Sequence, residues 1–308
     1  MLALLVVAPE PLAGKTTLTA GLAQRLKEEG RSAALLRLAG DDHAVADASL
    51  FASLPFNARL QHKPLDPAQA LGAAEGADIT LIETPGGDPA EALKALGPAA
   101  RALVVASGEA SPGQVAQYCR GLGSSLAGLI LNRVPQRRRE AIWAAFGAVG
   151  LQPLAFLPED RTLAAPTLGQ VAEAVQASSS FLNANREHLL ERPLIASISA
   201  DPGQGYFVRH QPSAVIVRGD KPDLQLAALN AGLPCLIITG GLTPLSYVLD
   251  RSEEKGTPVL LTELDTVAAA QRIESMFAAT PFGAGEVKLQ RLEEMLGKVD
   301  VSALVGSN

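Results

Sequence analysis

Ala8-Pro9-Glu10-Pro11-Leu12-Ala13-Gly14-Lys15-Thr16-Thr17 lies between an apolar run, Leu2–Val7, and a stretch with leucines at 18, 22 and 26. The run is short, apolar throughout and broken at Pro9, which predicts a buried strand. Leucines four apart predict one face of a helix over residues 16–28. A turn from a buried strand into a helix gathers backbone N–H groups that bind anions, and the helix dipole adds to this. Gly14 lets the backbone approach an anion closely, and Lys15 supplies a point charge. The Thr16 hydroxyl suits Mg²⁺.

Working outward, short apolar runs recur at 33–38, 79–83, 102–106, 126–131 and 154–157, with helical stretches near 89–97, 112–122 and 136–147. Strands alternating with helices imply an α/β fold, a mostly parallel sheet covered on both faces. A second series follows residue 164. It has helices expected at 168–175, 224–231, 244–255 and 266–277, and strands at 194–198, 213–217, 235–238 and 259–261. Ser178-Ser179-Ser180 reads as a polar stretch. The domain organisation expected is 1–163, then a smaller α/β domain over 164–278, then a tail over 279–308 with a charged amphipathic helix at 286–298. That helix reads as a linker remnant, a dimer contact or a packed tail.

The turn is a variant P-loop. The pattern G-x-x-x-x-G-K-[ST] has glycine at its first position, and here Pro9 stands there, with no amide hydrogen and a fixed φ. The loop residues Glu10, Ala13, Gly14, Lys15, Thr16 and Thr17 are the candidate phosphate contacts. Asp78-Ile79-Thr80-Leu81-Ile82-Glu83-Thr84-Pro85-Gly86-Gly87 is a strand ending in a carboxylate and a glycine turn, which places Glu83 where it meets a magnesium shell. Gly128-Leu129-Ile130-Leu131-Asn132 ends in an amide able to pair with a base edge.

Composition narrows the alternatives. Hydrophobic residues make up 47% and charged residues 19% of 308, and the net charge is −6. This is a globular composition without bulk attraction to nucleic acid or anionic membranes. Two cysteines, Cys119 and Cys235, lack CxxC spacing, and His43, His62, His188 and His210 form no metal-binding pair. Both cysteines read as small core residues. The N-terminal apolar run has no basic residue before it, so it reads as a strand rather than a signal sequence, and a cytoplasmic location is expected. Arg137-Arg138-Arg139 reads as a solvated helix face, and Tyr206-Phe207 as core packing.

The three motifs, in this order and spacing, resemble the dethiobiotin synthetase-like branch of P-loop proteins. The Glu10-Pro11…Gly14-Lys15 form is similar to the domain at the N-terminus of long bacterial phosphate acetyltransferases. Leu157-Pro158-Glu159-Asp160-Arg161-Thr162-Leu163-Ala164-Ala165-Pro166-Thr167-Leu168-Gly169 resembles the junction of that family. Gly219-Asp220-Lys221-Pro222, Ala227-Ala228-Leu229 and Thr239-Gly240-Gly241 resemble its DRTGG domain. The resemblance spans roughly 1–278. It implies ATP and Mg²⁺ as cofactors, an adenine contact at Asn132, a nucleotide contact at Pro158, and metal ligation by Thr16, Asp47 and Glu83. Asp47 sits in Asp-Ala-Ser-Leu-Phe, similar to the family's D-A-D-L element.

Departures limit what carries over. Dethiobiotin synthetases have a Lys-Pro pair after the second strand, and here Arg37-Leu38 stands there. The eponymous Asp-Arg-Thr is Asp220-Lys221-Pro222, and lysine loses the bidentate fork of arginine. No segment resembles the acetyltransferase catalytic domain, so that activity is not expected of this chain alone. The resemblance therefore implies an ATP- and Mg²⁺-binding regulatory or assembly protein. It would form a homo-oligomer through the DRTGG-like domain, or pair with a separate phosphate acetyltransferase catalytic chain. Gly219, Asp220, Thr239, Gly240 and Gly241 form a candidate ligand or dimer site. The alternative is an ATP-dependent carboxylate ligase of the dethiobiotin synthetase or cobyrinate diamide synthase type, with Arg37 as the cation facing the substrate.

Overall fold

The computed structural model describes residues 2–57, 63–73, 76–180, 185–197, 200–283, 285–297 and 299. His62, Ile198 and Lys298 lie outside the described residues, as do Ala284 and residues 300–308 of the expected tail. The chain divides into two compact units. One is Met1–Asp160 with Phe282–Asn308, and the other is Arg161–Pro281.

In the first unit the elements run β1 (Leu2–Val7), α1 (Lys15–Glu28), β2 (Ala33–Arg37), α2 (Ala44–Ser53), α3 (Pro67–Ala73), β3 (Ile79–Glu83), α4 (Ala90–Leu96), β4 (Arg101–Ser107), α5 (Pro112–Leu122), β5 (Leu126–Val134), α6 (Arg139–Ala148) and β6 (Ala155–Pro158). The strands form one sheet in the order β2-β3-β1-β4-β5-β6, all pairs parallel. Side chains on both faces of β1 to β4 are buried, as expected of a sheet with helices on each side. Leu18, Leu22 and Leu26 of α1 are buried. Each contributes about 1.5–3 kcal/mol by leaving water. β1 lies between β3 and β4, so the strand order reverses there. The crevice beyond the carboxyl ends of these strands is where open α/β sheets bind ligands.

The second unit contains α7 (Arg161–Ala164), α8 (Leu168–Ala174), β7 (Ser178–Ser180), β8 (Pro193–Ile195), α9 (Ala200–His210), β9 (Ala214–Arg218), α10 (Pro222–Asn230), β10 (Leu236–Thr239), α11 (Ser246–Lys255), β11 (Val259–Leu261) and α12 (Thr266–Ala279). Its sheet order is β7-β11-β10-β9-β8. Four strands are parallel, and β7 is antiparallel to β11. Thr167 opens α8 with a capping box, its hydroxyl accepting from Gln170 N. Phe207 is buried, whereas Tyr206 is exposed and stacks 4.2 Å from the His210 ring. Cys119 in the first unit and Cys235 here are both buried.

The final helix, α13 (Glu286–Leu296), belongs to the first unit and packs on α1. Gly21 makes the approach: a Cβ there would meet Leu296 Cδ1 at 2.2 Å and Leu292 Cγ at 2.7 Å. Gln24 Nε2 donates to Glu293 Oε2 at 2.9 Å, and Arg291 Nε pairs with Asp160 Oδ2 at 2.7 Å. Of the three readings of this segment, the structure shows packing. Burial on this helix holds the Lys288 ammonium down, at a pKa of about 8. Among the described residues no helix is long and apolar enough to cross a membrane.

Candidate nucleotide site

The loop before α1 is tied to the ends of the neighbouring strands. Glu10 Oε1 accepts from Ser107 N at 2.5 Å, at the end of β4. Asn132 Nδ2 donates to Ala13 O at 2.9 Å, and Arg133 Nη2 donates to Leu12 O. Gly14 has φ +90°, and a Cβ there would stand 2.2 Å from Asn132 Nδ2, so both conformation and space call for glycine. Leu18 N is bonded to Gly14 O. The amides of Lys15, Thr16 and Thr17 precede that first bond and head the helix, where anions bind. Lys15 is buried in its first turn.

Below the loop, three residues far apart in sequence converge. Thr16 Oγ1 donates to Glu83 Oε1 at 3.0 Å and lies 3.4 Å from Asp47 Oδ1. Helix α2 delivers Asp47 in its first turn, and β3 delivers Glu83 at its last residue. Glu83 is 2% exposed, and its Oε2 is buried with no hydrogen-bond partner. Burial first, and then the Asp47 charge, push the Glu83 carboxyl up to about 7, against the pull of Arg37, Lys15 and the Thr16 hydroxyl. An orphaned carboxylate oxygen beside a hydroxyl and a second carboxylate suits Mg²⁺, which takes one or two protein carboxylates and completes its shell with phosphate and water. Among the described residues no three His, Cys, Asp or Glu side chains cluster to hold a metal by themselves.

Arg37 is the hub of this region. It is 1% exposed at the end of β2. Its Nη2 meets both Asp41 oxygens at 2.6 Å, its Nε donates to Asp47 Oδ2 at 3.1 Å, and its Nη1 donates to Leu38 O at 2.6 Å. Glu83 Oε1 lies 3.9 Å from Nε. Burial disfavours the charged guanidinium, but the Asp41 hydrogen bond, the Glu83 charge and the Asp47 hydrogen bond outweigh it and raise its pKa. The same contacts hold the Asp41 carboxyl below its ordinary value, although burial opposes them. Every side of this cation is thus occupied by the protein.

Asp41, which with Asp42, His43 and Asp47 follows the second strand and reads from the sequence as either a metal contact or a solvated loop, is held by Arg37, whereas Arg133 was missed by sequence reasoning. Asn132 lies beside the loop, its amide Nδ2 donating to Ala13 O at 2.9 Å. Pro158 lines a 320 Å³ cavity with Val134, Gln136, Arg139 and Phe156, beyond the ends of β5 and β6.

In the second unit, Gly219 and Asp220 follow β9, and Thr239, Gly240 and Gly241 end and follow β10. Gly219 N donates to Thr239 O at 2.9 Å, so the two turns adjoin. Gly240 N and Gly241 N donate to Leu264 O and Thr262 O. Gly241 has φ +69°, and a Cβ there would meet Glu263 Oε2 at 2.1 Å. Asp220 pairs with Arg218 at 2.5 Å. Gln225 Nε2 donates to Arg218 O and Gly219 O, while its buried Oε1 has no partner. The described N–H groups of both glycine turns are therefore spent on the fold.

Residues 170–276 match the DRTGG domain. Turns and helices of this DRTGG domain are those just described. Among solved structures, the chain is similar to the CBS and DRTGG domains of the regulatory region of Clostridium perfringens pyrophosphatase, complexed with the activator diadenosine tetraphosphate. Identity there is 16%, over 55% of this chain and 71% of that one, with a TM-score of 0.33. It is also similar to the MinC:MinD cell division complex of Aquifex aeolicus, with 18% identity, 53% and 84% coverage and a TM-score of 0.40. A third is FlhF complexed with GMPPNP and Mg²⁺, with 18% identity, 51% and 66% coverage and a TM-score of 0.41.

Proposed function

We propose that the first unit binds a nucleoside triphosphate, ATP, with Mg²⁺, and that the chain acts as a regulatory or assembly protein. One observation carries the reading: the meeting of Thr16, Asp47 and Glu83 beside Lys15, under a loop whose Gly14 admits no side chain. The amides of Lys15, Thr16 and Thr17 would bind phosphate oxygens, and the Lys15 ammonium would offset their charge. Thr16 and Glu83, with Asp47, would hold Mg²⁺, which supplies charge neutralisation between the phosphates when bound. Glu10, Asn132 and Arg133 hold the loop from behind. The cavity at Pro158 and Gln136 is the place for the base.

Arg37 argues against the ligase reading. A carboxylate substrate needs a cation near the γ-phosphate, and Arg37 is enclosed by Asp41, Asp47 and Leu38 O. Within this reading, residues 1–163 form the nucleotide domain and 164–278 the DRTGG domain, which senses a ligand or joins copies into a homo-oligomer. The exposed Leu242, Leu245 and Tyr247 that follow Gly241 support the assembly role. A cytoplasmic location and a separate phosphate acetyltransferase chain as partner complete the proposal. Thermal unfolding with ATP and Mg²⁺ tests it. Stabilisation of the wild type and none of Lys15→Ala is expected. No shift of the wild type with any nucleoside triphosphate and Mg²⁺ would sink the proposal.

A further inference from the structure

The phosphate loop makes its turn with a single glycine. Pro9 stands where the pattern has its first glycine, and Pro9 and Pro11 carry no N–H. Two loop residues nonetheless have left-handed backbone, Gly14 and Leu12, the latter at φ +55°. A bulky residue at positive φ is an outlier that costs free energy. Burial of its side chain does not offset that cost, because Leu12 is 59% exposed. The conformation serves the loop instead. Left-handed residues among right-handed ones turn successive N–H groups toward one concavity, an anion-binding nest. Among the described residues the N–H groups of Leu12, Ala13 and Gly14 donate to no protein group.

A group outside the loop must hold Leu12, and Arg133 does so, its Nη2 donating to Leu12 O. Arg133 is itself left-handed, at φ +51°, where the pairing of β5 with β6 shifts register between Leu131 and Val134. Such irregularities re-aim a side chain, and this one sends the guanidinium across the sheet end to the loop. Gly108, just past β4, backs the turn. Its N donates to Asn132 O at 2.7 Å, and a Cβ there would stand 2.8 Å from Val134 Cα and 3.1 Å from Arg133 O. Two strained residues thus meet in one hydrogen bond, whereas the ties at Glu10 and Ala13 hold residues without positive φ.

We infer that Arg133 is a positioning residue for nucleotide binding: it holds Leu12 left-handed and so stands in for a glycine that this loop lacks. The inference rests on the nucleotide reading proposed above. It adds what sets the affinity, namely the share of molecules whose loop is already turned for phosphate. Arg133 acts through the backbone of Leu12 and is not a phosphate ligand.

Calorimetric titration of the full chain with ATP and Mg²⁺ tests this by rescue. Arg133→Met should weaken binding about tenfold, as the turned loop becomes a minor state. Arg133→Lys, which keeps a donor, should weaken it less. Leu12→Gly in the Arg133→Met background should restore affinity to within about threefold of the wild type, since glycine takes positive φ freely. A cation that merely attracted phosphate would not be rescued at position 12. Arg137→Met, which removes a neighbouring exposed charge, should leave affinity unchanged. A second readout needs no nucleotide: chymotrypsin cleavage after Leu12 should be about tenfold faster in Arg133→Met, because cleavage follows the population of the released loop. The inference is overturned if the wild type binds ATP and Arg133→Met binds it equally, if Leu12→Gly brings no rescue, if Arg137→Met weakens binding as much, or if cleavage is unchanged. A wild type that binds no ATP would instead refute the nucleotide reading, and this inference with it, while the cleavage rates still report the tether.

Discussion

Replacing Arg37 by methionine removes the cation from the middle of the magnesium-side cluster. The side chain keeps an apolar stem and loses its charge and its guanidinium nitrogens. Asp41, Asp47 and Glu83 then share a pocket in which Lys15 still draws on Asp41 and Glu83. Removing one partner of a buried ion pair costs ~3–5 kcal/mol, because the other charge stays behind. Asp41 and Asp47 keep 29% and 16% side-chain exposure and relax partly into water, which favours the lower end, about 3 kcal/mol. Glu83 has no such outlet and takes up a proton. With a urea slope of roughly 2 kcal/mol per molar, the midpoint should fall by about 1.5 M. Trp143 fluorescence reports the first unit, because the tryptophan lies in α6. Mg²⁺ should restore part of the loss in the variant, since a divalent cation replaces the missing charge. A midpoint drop equivalent to less than about 1 kcal/mol, the range of an exposed pair, would refute the reasoning.

Other outcomes follow from single contacts. Gly14→Ala forces a Cβ against Asn132 at φ +90° and should cost about 1–3 kcal/mol and abolish the ATP-dependent thermal shift; retention of the shift would show that the loop tolerates the side chain. Gly21→Val drives α13 off α1 and should cost roughly 1–3 kcal/mol, seen as faster proteolysis within 286–296. Because the folded Glu83 pKa is raised to about 7 from the ordinary 4.5, its contribution is greatest below 4.5 and is lost as pH rises through 7. Urea midpoints of the wild type minus those of Glu83→Gln should therefore fall between pH 4.5 and 7 and level off above; a flat difference would contradict the burial of this carboxyl.

Much of the fold was legible because its strands announce themselves. Leu2–Val7, Ile79–Glu83 and Val259–Leu261 are apolar runs with clear breaks, and leucines at 18, 22 and 26 fix the buried face of α1. What escaped depends on tertiary pairing. Ser178–Ser180 has no apolar pattern, yet becomes an antiparallel edge strand because β11 offers it a ladder. Helix α2 is alanine-rich and apolar on several sides, so no face stands out in its sequence. The expected helix at 136–147 begins one turn later, after a 3₁₀ turn at Gln136–Arg138.

The site was legible as a set of types and illegible as a set of partners. Thr16, Asp47 and Glu83 were picked out separately and do meet. The sequence suggested Arg37 as a group facing a substrate, but the structure encloses it among carboxylates. Asn132 was picked out for a base contact, and its amide also braces the loop through Ala13, a contact across the sheet edge that the sequence does not show. Such choices of partner depend on distances across the sheet edge, which spacing along the chain does not encode.

The central claim is a phosphate and magnesium site built on Lys15 and Thr16. Calorimetric titration of the full chain with ATP, with and without Mg²⁺, tests it most directly. The account predicts saturable binding by the wild type that strengthens with Mg²⁺, loss of binding in Lys15→Ala, and loss of the magnesium dependence alone in Thr16→Ala. Equal binding by the wild type and Lys15→Ala, or no binding by the wild type under either condition, would contradict it.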